Sequence, residues 1–369
     1  MIIGVDAGCL SVDDIRLKTG VYYFALNLLE NLLVLDKKNK YLLYSFIPIK
    51  SGILNKFGDN ASNLVLKPRT DWLNLRLSGE FLLNKPDIFL GLSQALPLYH
   101  PVKSIVYFHD LAFEYYPKFY HKTYGKLSRQ SRFSAKNCDK LIAVSHKTKS
   151  DLLRFYGINK EKITVIYHGI NHKFAPQPKE KIKKIRGKYQ LSQPYILSVG
   201  SLKPVKNIPT MIKAFNIFLN MVKKPFQFII VGSDYWLDKE IIETINLLGL
   251  NRQVKILGFI PDTDLPGLYS DAKVFLSTSY FEGFGLPAVE AMKCAVPVIT
   301  SNTGSLPEVV GDAAITVDPE DINIIAQALV AVTSDTALSK KLIKRGLSQA
   351  KLYSWNNSAQ KLLDIIDGI

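Results

Sequence analysis

The sequence predicts an α/β protein made of two doubly wound parallel sheets, each covered by helices, and three observations carry that reading. The chain has 369 residues and 47% hydrophobic content, enough for two packed cores at roughly 150 residues per domain. Short β-rich runs alternate with segments of helical period along its whole length, the pattern of parallel strands joined through helices. A lysine- and proline-rich stretch over 171–193 interrupts that alternation near the middle.

In the first half, Ile2–Val5 opens the sheet as a short β-branched run. The long apolar segment Gly20–Leu35 follows at helical period, with Thr19 as candidate N-cap. Strands are expected at Tyr41–Phe46, Asn63–Leu66, Asp87–Leu90, Ser104–Tyr107, Lys140–Val144 and Ile163–Ile166, with helices at Asp71–Leu83, Phe119–Asn137 and Lys147–Tyr156 between them. The second half repeats the scheme. Strands are expected at Tyr195–Val199, Phe226–Val231, Gln253–Leu257, Lys273–Leu276, Val296–Ile299 and Ala313–Val317; helices at Asn207–Val222, Lys239–Leu248 and Leu286–Cys294; three helices close the chain. Pro176 and Pro178 precede Lys179-Glu180-Lys181-Ile182-Lys183-Lys184, the composition of an exposed connector with one short helix. The domains are therefore expected at 1–175 and 193–352, with a linker over 176–192 and a closing helix over 353–369.

Charge is unevenly distributed. The formal net charge is +15; residues 1–190 hold 31 basic and 15 acidic side chains, whereas 191–369 hold 16 and 17. A one-sided positive field suits an anionic partner: nucleic acid, a phosphorylated substrate or an anionic membrane. A well-solvated lysine-rich surface is the plain alternative. Cys9, Cys138 and Cys294 form no C-x-x-C and no even framework, which fits a reduced, cytoplasmic protein. Met1-Ile2-Ile3-Gly4-Val5-Asp6 reads as a first strand and not as a signal peptide. The longest uncharged apolar runs, Val21–Leu29 and Ile88–Val102, fall short of the ~18 residues of a membrane span. Any membrane contact is expected to be peripheral, at the inner face of the cell membrane.

Open α/β sheets bind ligands beyond the carboxyl ends of their strands, so the loops after strands are where chemistry is expected. The densest is Ser279-Tyr280-Phe281-Glu282-Gly283-Phe284-Gly285-Leu286-Pro287-Ala288-Val289-Glu290-Ala291-Met292. Its glycines let a backbone approach a ligand, and Pro287 suits the first helical turn. The free amides of a helix start are expected to face an anion such as a phosphate. Glu282 and Glu290 bracket the turn, and a carboxylate accepts hydrogen bonds from both of a pair of vicinal hydroxyls such as a ribose offers. An ordinary pair of surface carboxylates is the alternative, which the loop context disfavours.

This motif, with Pro297-Val298-Ile299 and Gly304-Ser305-Leu306-Pro307-Glu308-Val309, resembles the signature of the retaining family 4 glycosyltransferases. The resemblance extends to Val199-Gly200-Ser201-Leu202-Lys203-Pro204-Val205-Lys206-Asn207, His109-Asp110-Leu111, Ala143-Val144-Ser145 with Asp151-Leu152, Gly169-Ile170-Asn171 and Tyr353-Ser354-Trp355. The branch it most resembles contains the mannosyl- and rhamnosyltransferases that build bacterial surface polysaccharides. It implies the GT-B architecture of two facing Rossmann-like domains, an acceptor-binding first and a nucleotide-sugar-binding second, with a C-terminal helix crossing back to the first.

The resemblance also implies residue roles. Glu290 would hold the donor ribose, Glu282 would sit by the donor sugar, and the amides of Phe284, Gly285 and Leu286 would meet sugar hydroxyls or the diphosphate. Lys206, in the loop with Gly200 and Ser201, would stabilise the departing diphosphate. Relatives often place an arginine in this loop; here Val205 and Ser201 occupy those places, and Lys203 is a candidate substitute. Ile260, in Gly258-Phe259-Ile260-Pro261, would lie against the base through its main chain. In the first domain Gly20 would approach the donor phosphate, and His109 the sugar and acceptor. Ser145 is a cleft-lining candidate whose plainer role is helix capping.

The catalytic residues are thus expected to be His109, Lys206 and Glu282, in a front-face displacement with domain closure excluding water. No resident cofactor is expected; the donor is a nucleotide sugar, GDP-mannose first, and the acceptor a glycan or lipid-linked saccharide. Asp262-Thr263-Asp264 has the spacing of a metal-binding Asp-x-Asp, but capping of a short helix is the better reading and no metal site is expected. Arg129-Gln130-Ser131-Arg132 lies on one helix face without a nucleic-acid signature, and no nucleic acid is expected as partner. The competing functions are a sugar-nucleotide epimerase of the same architecture and a basic nucleic-acid-binding protein.

Overall fold

The computed structural model describes residues 1–14, 17–233 and 237–369. They form two compact units, one of Met1–Gly169 with Ser354–Ile369 and the other of Ile170–Tyr353.

The first unit holds a seven-stranded sheet: β1 (Ile2–Asp6), β2 (Lys40–Ser45), β3 (Ala61–Val65), β4 (Ile88–Gly91), β5 (Lys103–Phe108), β6 (Lys140–Ala143) and β7 (Ile163–Val165). Its order is β3-β2-β1-β4-β5-β6-β7, parallel throughout, with Ile3 opposite Ile88 and Leu90 opposite Ile105. Apolar residues run continuously along β4 and from Ile105 to Phe108 of β5 because both sheet faces are covered. The strand order reverses between β1 and β4, which makes the carboxyl ends of these strands a crevice-forming switch point.

The Gly20–Leu35 helix buries Phe24, Leu28 and Leu32. The C-terminal helix Trp355–Asp367 packs against it, and Trp355 lies against Phe24 (6.0 Å between centroids) and stacks on His168 (5.7 Å). Gly169 permits this crossing: a Cβ there would stand 2.0 Å from the Trp355 amide nitrogen.

The second unit holds six parallel strands, β8 (Tyr195–Val199), β9 (Gln227–Val231), β10 (Val254–Ile256), β11 (Val274–Ser277), β12 (Val298–Ser301) and β13 (Ile315–Val317). They are ordered β10-β9-β8-β11-β12-β13, again with a reversal, here between β8 and β11. Phe215, Phe218 and Phe228 fill the core on one side of the sheet with Ile325 and Leu329.

Several expectations are corrected. The boundary falls at Gly169 and not at 175, and the stretch 176–192, exposed along most of its length and carrying the expected short helix, is part of the second unit and not a linker. Ile170 donates its amide to the Tyr353 carbonyl (3.2 Å), and Phe174 meets the Tyr269 ring edge-on. The Lys179–Lys188 helix buries Ile185 against Gly267 and is tied by Arg186 to Asp271 (2.9 Å). Ile185, the one buried residue of this helix, supplies the docking contact that the lysine count hides.

The charge asymmetry changes accordingly. With that basic helix in the second unit, the first carries 25 basic and 16 acidic residues and the second 22 and 16. Both units are positive.

Finally, Asp71–Leu83 is not one regular helix. Asp71 is left-handed (φ 47°), a π-helical turn runs over Trp72–Leu77, and an α-helix follows over Ser78–Leu83. Phe119–Asn137 is likewise divided into a 3₁₀ turn, Pro117–Tyr120, and a helix, Tyr124–Asn137. The short Ser51–Phe57 helix spans too few residues for periodicity to mark it in the sequence.

Candidate functional site

The loops leaving β8, β11 and β12 converge in the second unit. Pro204–Lys206 forms a 3₁₀ turn, closed by the Lys206 amide on the Lys203 carbonyl (2.9 Å), and Asn207 follows at φ 56°. Asn207 is buried and donates its Nδ2 to the carbonyls of Thr278 (3.1 Å) and Pro319 (2.7 Å). The Tyr280 amide returns a bond to the Val205 carbonyl (2.9 Å). Two of these bonds fix the loop after β8 against the loop after β11, and the third ties it to the loop after β13.

Within that frame the partly buried Lys206 Nζ lies 2.5 Å from Glu282 Oε1, which also accepts from Ser279 Oγ (2.8 Å). Gly200, Ser201, Lys206, Ser277 and Ser279 line a small recess beside the pair. The Glu282 backbone is held in turn by Ser305, whose amide and Oγ both donate to its carbonyl (3.0 Å each). Gly304 makes this approach feasible: at φ 61°, a Cβ there would sit 2.7 Å from the Glu282 carbonyl oxygen.

Beyond Glu282 the chain turns into the Leu286–Lys293 helix through Gly285 at φ 88°, where a Cβ would strike Leu306 at 2.5 Å. The Phe284 ring is buried edge-on against Tyr353, anchoring the turn. The amides of Phe284, Gly285 and Leu286 thus stand at a helix start, where no intrahelical acceptor exists for them. Glu290 lies one turn further on, partly buried, and accepts from the Tyr269 hydroxyl (2.9 Å). Burial pushes its carboxyl up to about 7, against the opposing hydrogen bond from Tyr269 and the positive charge of Lys173.

The structure therefore brings Gly200, Ser201, Lys206 and Glu282 together, with Phe284, Gly285, Leu286 and Glu290 on the helix start that follows. Ile260 lies in the loop after β10, its side chain buried, while Gly258 in the same loop accepts the Gly232 amide (3.1 Å).

The Asp-x-Asp pair is explained differently from the expectation. Asp264 makes no side-chain cap. Instead its Oδ2 accepts from Lys188 (2.5 Å) and Tyr189 (2.6 Å), and Asp262 pairs with Lys173 (3.0 Å). These carboxylates tether the basic helix and the segment before it.

In the first unit, Gly20 opens its helix with nothing within 4 Å of where a Cβ would stand, so no protein contact demands the glycine. Thr19 occupies the N-cap position without a side-chain cap bond, contrary to expectation. His109, just beyond β5, directs Nε2 at the Leu92 carbonyl (2.8 Å) and packs against Phe24 (4.6 Å between centroids) and His168 (5.6 Å). Burial lowers its pKa to about 4. The ring is then neutral, with its proton on Nε2 toward the carbonyl and Nδ1 as the acceptor. Ser145 caps the His146–Tyr156 helix by accepting from the Thr148 amide (3.0 Å) and is fully buried.

The sequence reading missed Asn207, Ser279, Ser305 and Tyr269. Asn207 stands beside the recognised lysine and was legible in principle. Tyr269 gives no local signal, because its role is a contact across 21 residues.

Comparison with known proteins supplies independent findings. Residues 179–349 match the family model for glycosyl transferases group 1, and residues 62–174 match glycosyltransferase family 4. O-antigen chain mannosyltransferase B of Escherichia coli is 28% identical, over 94% of this chain and 95% of that protein. Serotype-specific mannosyltransferase WbdA of Escherichia coli is 30% identical over 61% of this chain, a match spanning only 28% of its own length. Among solved structures, Anabaena Alr3699/HepE in complex with UDP and glucose superposes with a TM-score of 0.78. It covers 100% of this chain and 99% of that one at 18% identity.

Proposed function

Because the chain belongs to the group 1 and family 4 glycosyltransferases, we propose that it transfers a mannosyl group from GDP-mannose to a glycan or lipid-linked acceptor in cell-surface polysaccharide synthesis, with retention of configuration. That it is a glycosyltransferase rests on both family models and on a mannosyltransferase relative matched nearly end to end. The observation that carries the mechanism is the pairing of Lys206 with Glu282 at 2.5 Å, beside a helix start and a ribose-competent carboxylate.

In the proposed reaction the donor inserts between the pair. Its diphosphate takes Lys206 and the amides of Gly285 and Leu286, and Glu282 turns to the hydroxyls of the sugar. The bond from the anomeric carbon to the diphosphate oxygen breaks, and its electron pair leaves with the phosphate. The acceptor oxygen attacks from that same face and passes its proton to the departing phosphate oxygen. Stabilising this developing charge is the protein's main contribution. Glu290 accepts from the ribose hydroxyls, and Ile260 borders the base. In the first unit, proposed to take the acceptor, His109 acts as a neutral hydrogen-bonding group and not as a proton carrier, since burial holds it near pKa 4.

Among the described residues no single helix is long and apolar enough to cross a membrane. With a net charge of +15, peripheral contact at the cytoplasmic face of an anionic membrane is part of the proposal. Incubation with a panel of sugar nucleotides and membrane lipid extract, following nucleoside diphosphate release and the anomeric configuration of the product, tests it. Release from GDP-mannose with a retained product is expected. An inverted product, or release from no sugar nucleotide, overturns it.

A further inference from the structure

One buried carboxylate of the first unit takes no part in the proposed reaction. Asp6 ends β1 at the carboxyl edge of the sheet, beside β4, where the strand order reverses, and it is only 4% exposed. Its Oδ1 accepts from the Gly8 amide (3.0 Å), whereas Oδ2 has no hydrogen-bond partner and neither oxygen meets a cation among the described residues. Burial raises its pKa to about 6, so the group is ionised at neutral pH. A buried charge without a counter-charge is costly to keep, and in a crevice it marks a place where a ligand completes the bonding.

The Gly8 backbone lies between this acid and two aromatic rings. A Cβ there would stand 3.1 Å from Asp6 Oδ1, 2.9 Å from Trp72 Cζ2 and 3.3 Å from Phe46 Cε1, so acid and rings border one small niche. Gly8, Phe46 and Trp72 are each partly exposed. The rings meet edge to face at 5.7 Å, with the exposed Arg69 over Phe46 (4.8 Å). Trp72 opens the π-helical turn behind the left-handed Asp71, whose exposed carboxylate accepts from Asn74 Nδ2 (3.2 Å). On the β4 side the Leu92 carbonyl holds His109 (2.8 Å), and the next residue, Ser93, hydrogen-bonds the Cys9 thiol. The neighbouring ends of β1, β4 and β5 thus carry Asp6, Ser93 and His109 side by side.

Aromatic rings beside a carboxylate suit a pyranose, whose C–H face packs on apolar carbon and whose hydroxyls donate to the acid. From this geometry we infer that Asp6, Trp72 and Phe46 form a subsite for one pyranose ring of the acceptor, with Asp6 Oδ2 accepting from a sugar hydroxyl and the indole packing against the ring's C–H face. The inference rests on the reading of the first unit as the acceptor-binding one and adds which residues hold the sugar. A phosphate does not suit the niche, because the carboxylate repels an anion at that range. Closure of the turn after β1 accounts for the Gly8 bond alone and leaves Oδ2 and the two rings without a purpose.

Saturation-transfer NMR on the full chain, with methyl α-mannoside, methyl α-glucoside and methyl α-rhamnoside as probes and no sugar nucleotide present, tests it. Transfer to the ring protons of at least one of them is expected. Asp6→Asn keeps an acceptor for the Gly8 amide and should weaken the affinity read from the transfer roughly fivefold or more, the difference between a charge-assisted and a neutral hydrogen bond. The folded pKa of Asp6 lies above the unfolded one, so the acid's contribution to stability is lost as pH rises through about 6. At pH 8 the asparagine variant should therefore unfold at no lower a temperature than the unmodified protein. Trp72→Leu should weaken binding by a similar factor, and Trp72→Phe, which keeps an aromatic face, should retain most of it. The inference is overturned if none of the three pyranosides receives transfer, if Asp6→Asn binds them unchanged, or if its loss of binding comes with a lower unfolding temperature at pH 8. Equal losses in Trp72→Phe and Trp72→Leu would also overturn it. Pyranoside binding through Asp6 in a protein that releases nucleoside diphosphate from no sugar nucleotide would count against the proposed function and not against this subsite.

Discussion

Lys206 Nζ and Glu282 Oε1 lie 2.5 Å apart although 76 residues separate them in the chain. Each belongs to a loop at the carboxyl edge of a central strand, β8 and β11, which are neighbours in the sheet. In the proposed mechanism they exchange this mutual contact for the donor. Lys206→Ala should then lower turnover roughly 10²-fold or more, the scale for one transition-state donor removed. Steady-state rates with saturating donor measure it, and an unchanged rate would remove Lys206 from the mechanism.

Glu290 links function to stability through its raised pKa of about 7. In the proposed reading the ionised carboxylate accepts from both ribose hydroxyls, so affinity for a nucleoside diphosphate should rise with pH through about 7 and level off above it. Glu290→Gln should weaken binding roughly tenfold or more and abolish that pH dependence. The folded state holds an extra proton between the unfolded pKa and about 7, so stability falls as pH rises across that window. At pH 8 the glutamine variant should unfold at a higher temperature, by the equivalent of up to about 3 kcal/mol. Calorimetry and titration on the same sample separate the two effects.

His109 behaves in the opposite sense. Its folded pKa, lowered to about 4 by burial, lies below the unfolded value. Stability from the neutral ring is full above about pH 6.5 and is lost as pH falls toward 4, up to about 3 kcal/mol in all. No limb from this histidine should appear in the rate profile between pH 6 and 8. NMR titration of its ring protons checks the value directly, and a midpoint near 6.5 would refute the assignment.

Asn207 is predicted to act on the reaction by position alone. Asn207→Ala leaves the Thr278 and Pro319 carbonyls without its amide and places a Cβ-branching-free but non-glycine residue at φ 56°. The cost should be about 2–4 kcal/mol of stability. Asn207→Gly loses the same two bonds but relieves the backbone, so comparing the two by chemical unfolding apportions the effect. Turnover should fall in both, since Lys206 is the preceding residue.

Gly304→Ala tests the support of Glu282. The added Cβ would meet the Glu282 carbonyl oxygen at 2.7 Å and its nitrogen at 2.8 Å, at a φ that favours glycine. Donor affinity should fall at least tenfold, read by calorimetric titration, because the loop must retreat from the Lys206 side. Normal affinity would show that the loop tolerates displacement.

Alternation and motif spacing alone establish the two-sheet architecture and single out the loops after β8 and β11. Alternating periodicity located all thirteen strands to within a residue or two, because parallel strands buried on both faces are short uninterrupted apolar runs. The Glu282–Glu290 loop was legible because the glycines, the proline and both carboxylates are local to one turn. Everything that depends on contacts between distant segments was decided by tertiary structure. The lysine-rich stretch after Pro178 reads as solvent-exposed, yet Ile185 and Arg186 fasten it to the second unit, which moves the domain boundary and spreads the positive charge over both units. The Asp262 and Asp264 carboxylates look like metal ligands or caps until their partners, Lys173, Lys188 and Tyr189, come into range. Burial likewise sets the protonation of Glu290 and His109, since desolvation is a property of the surroundings that a residue's identity does not carry.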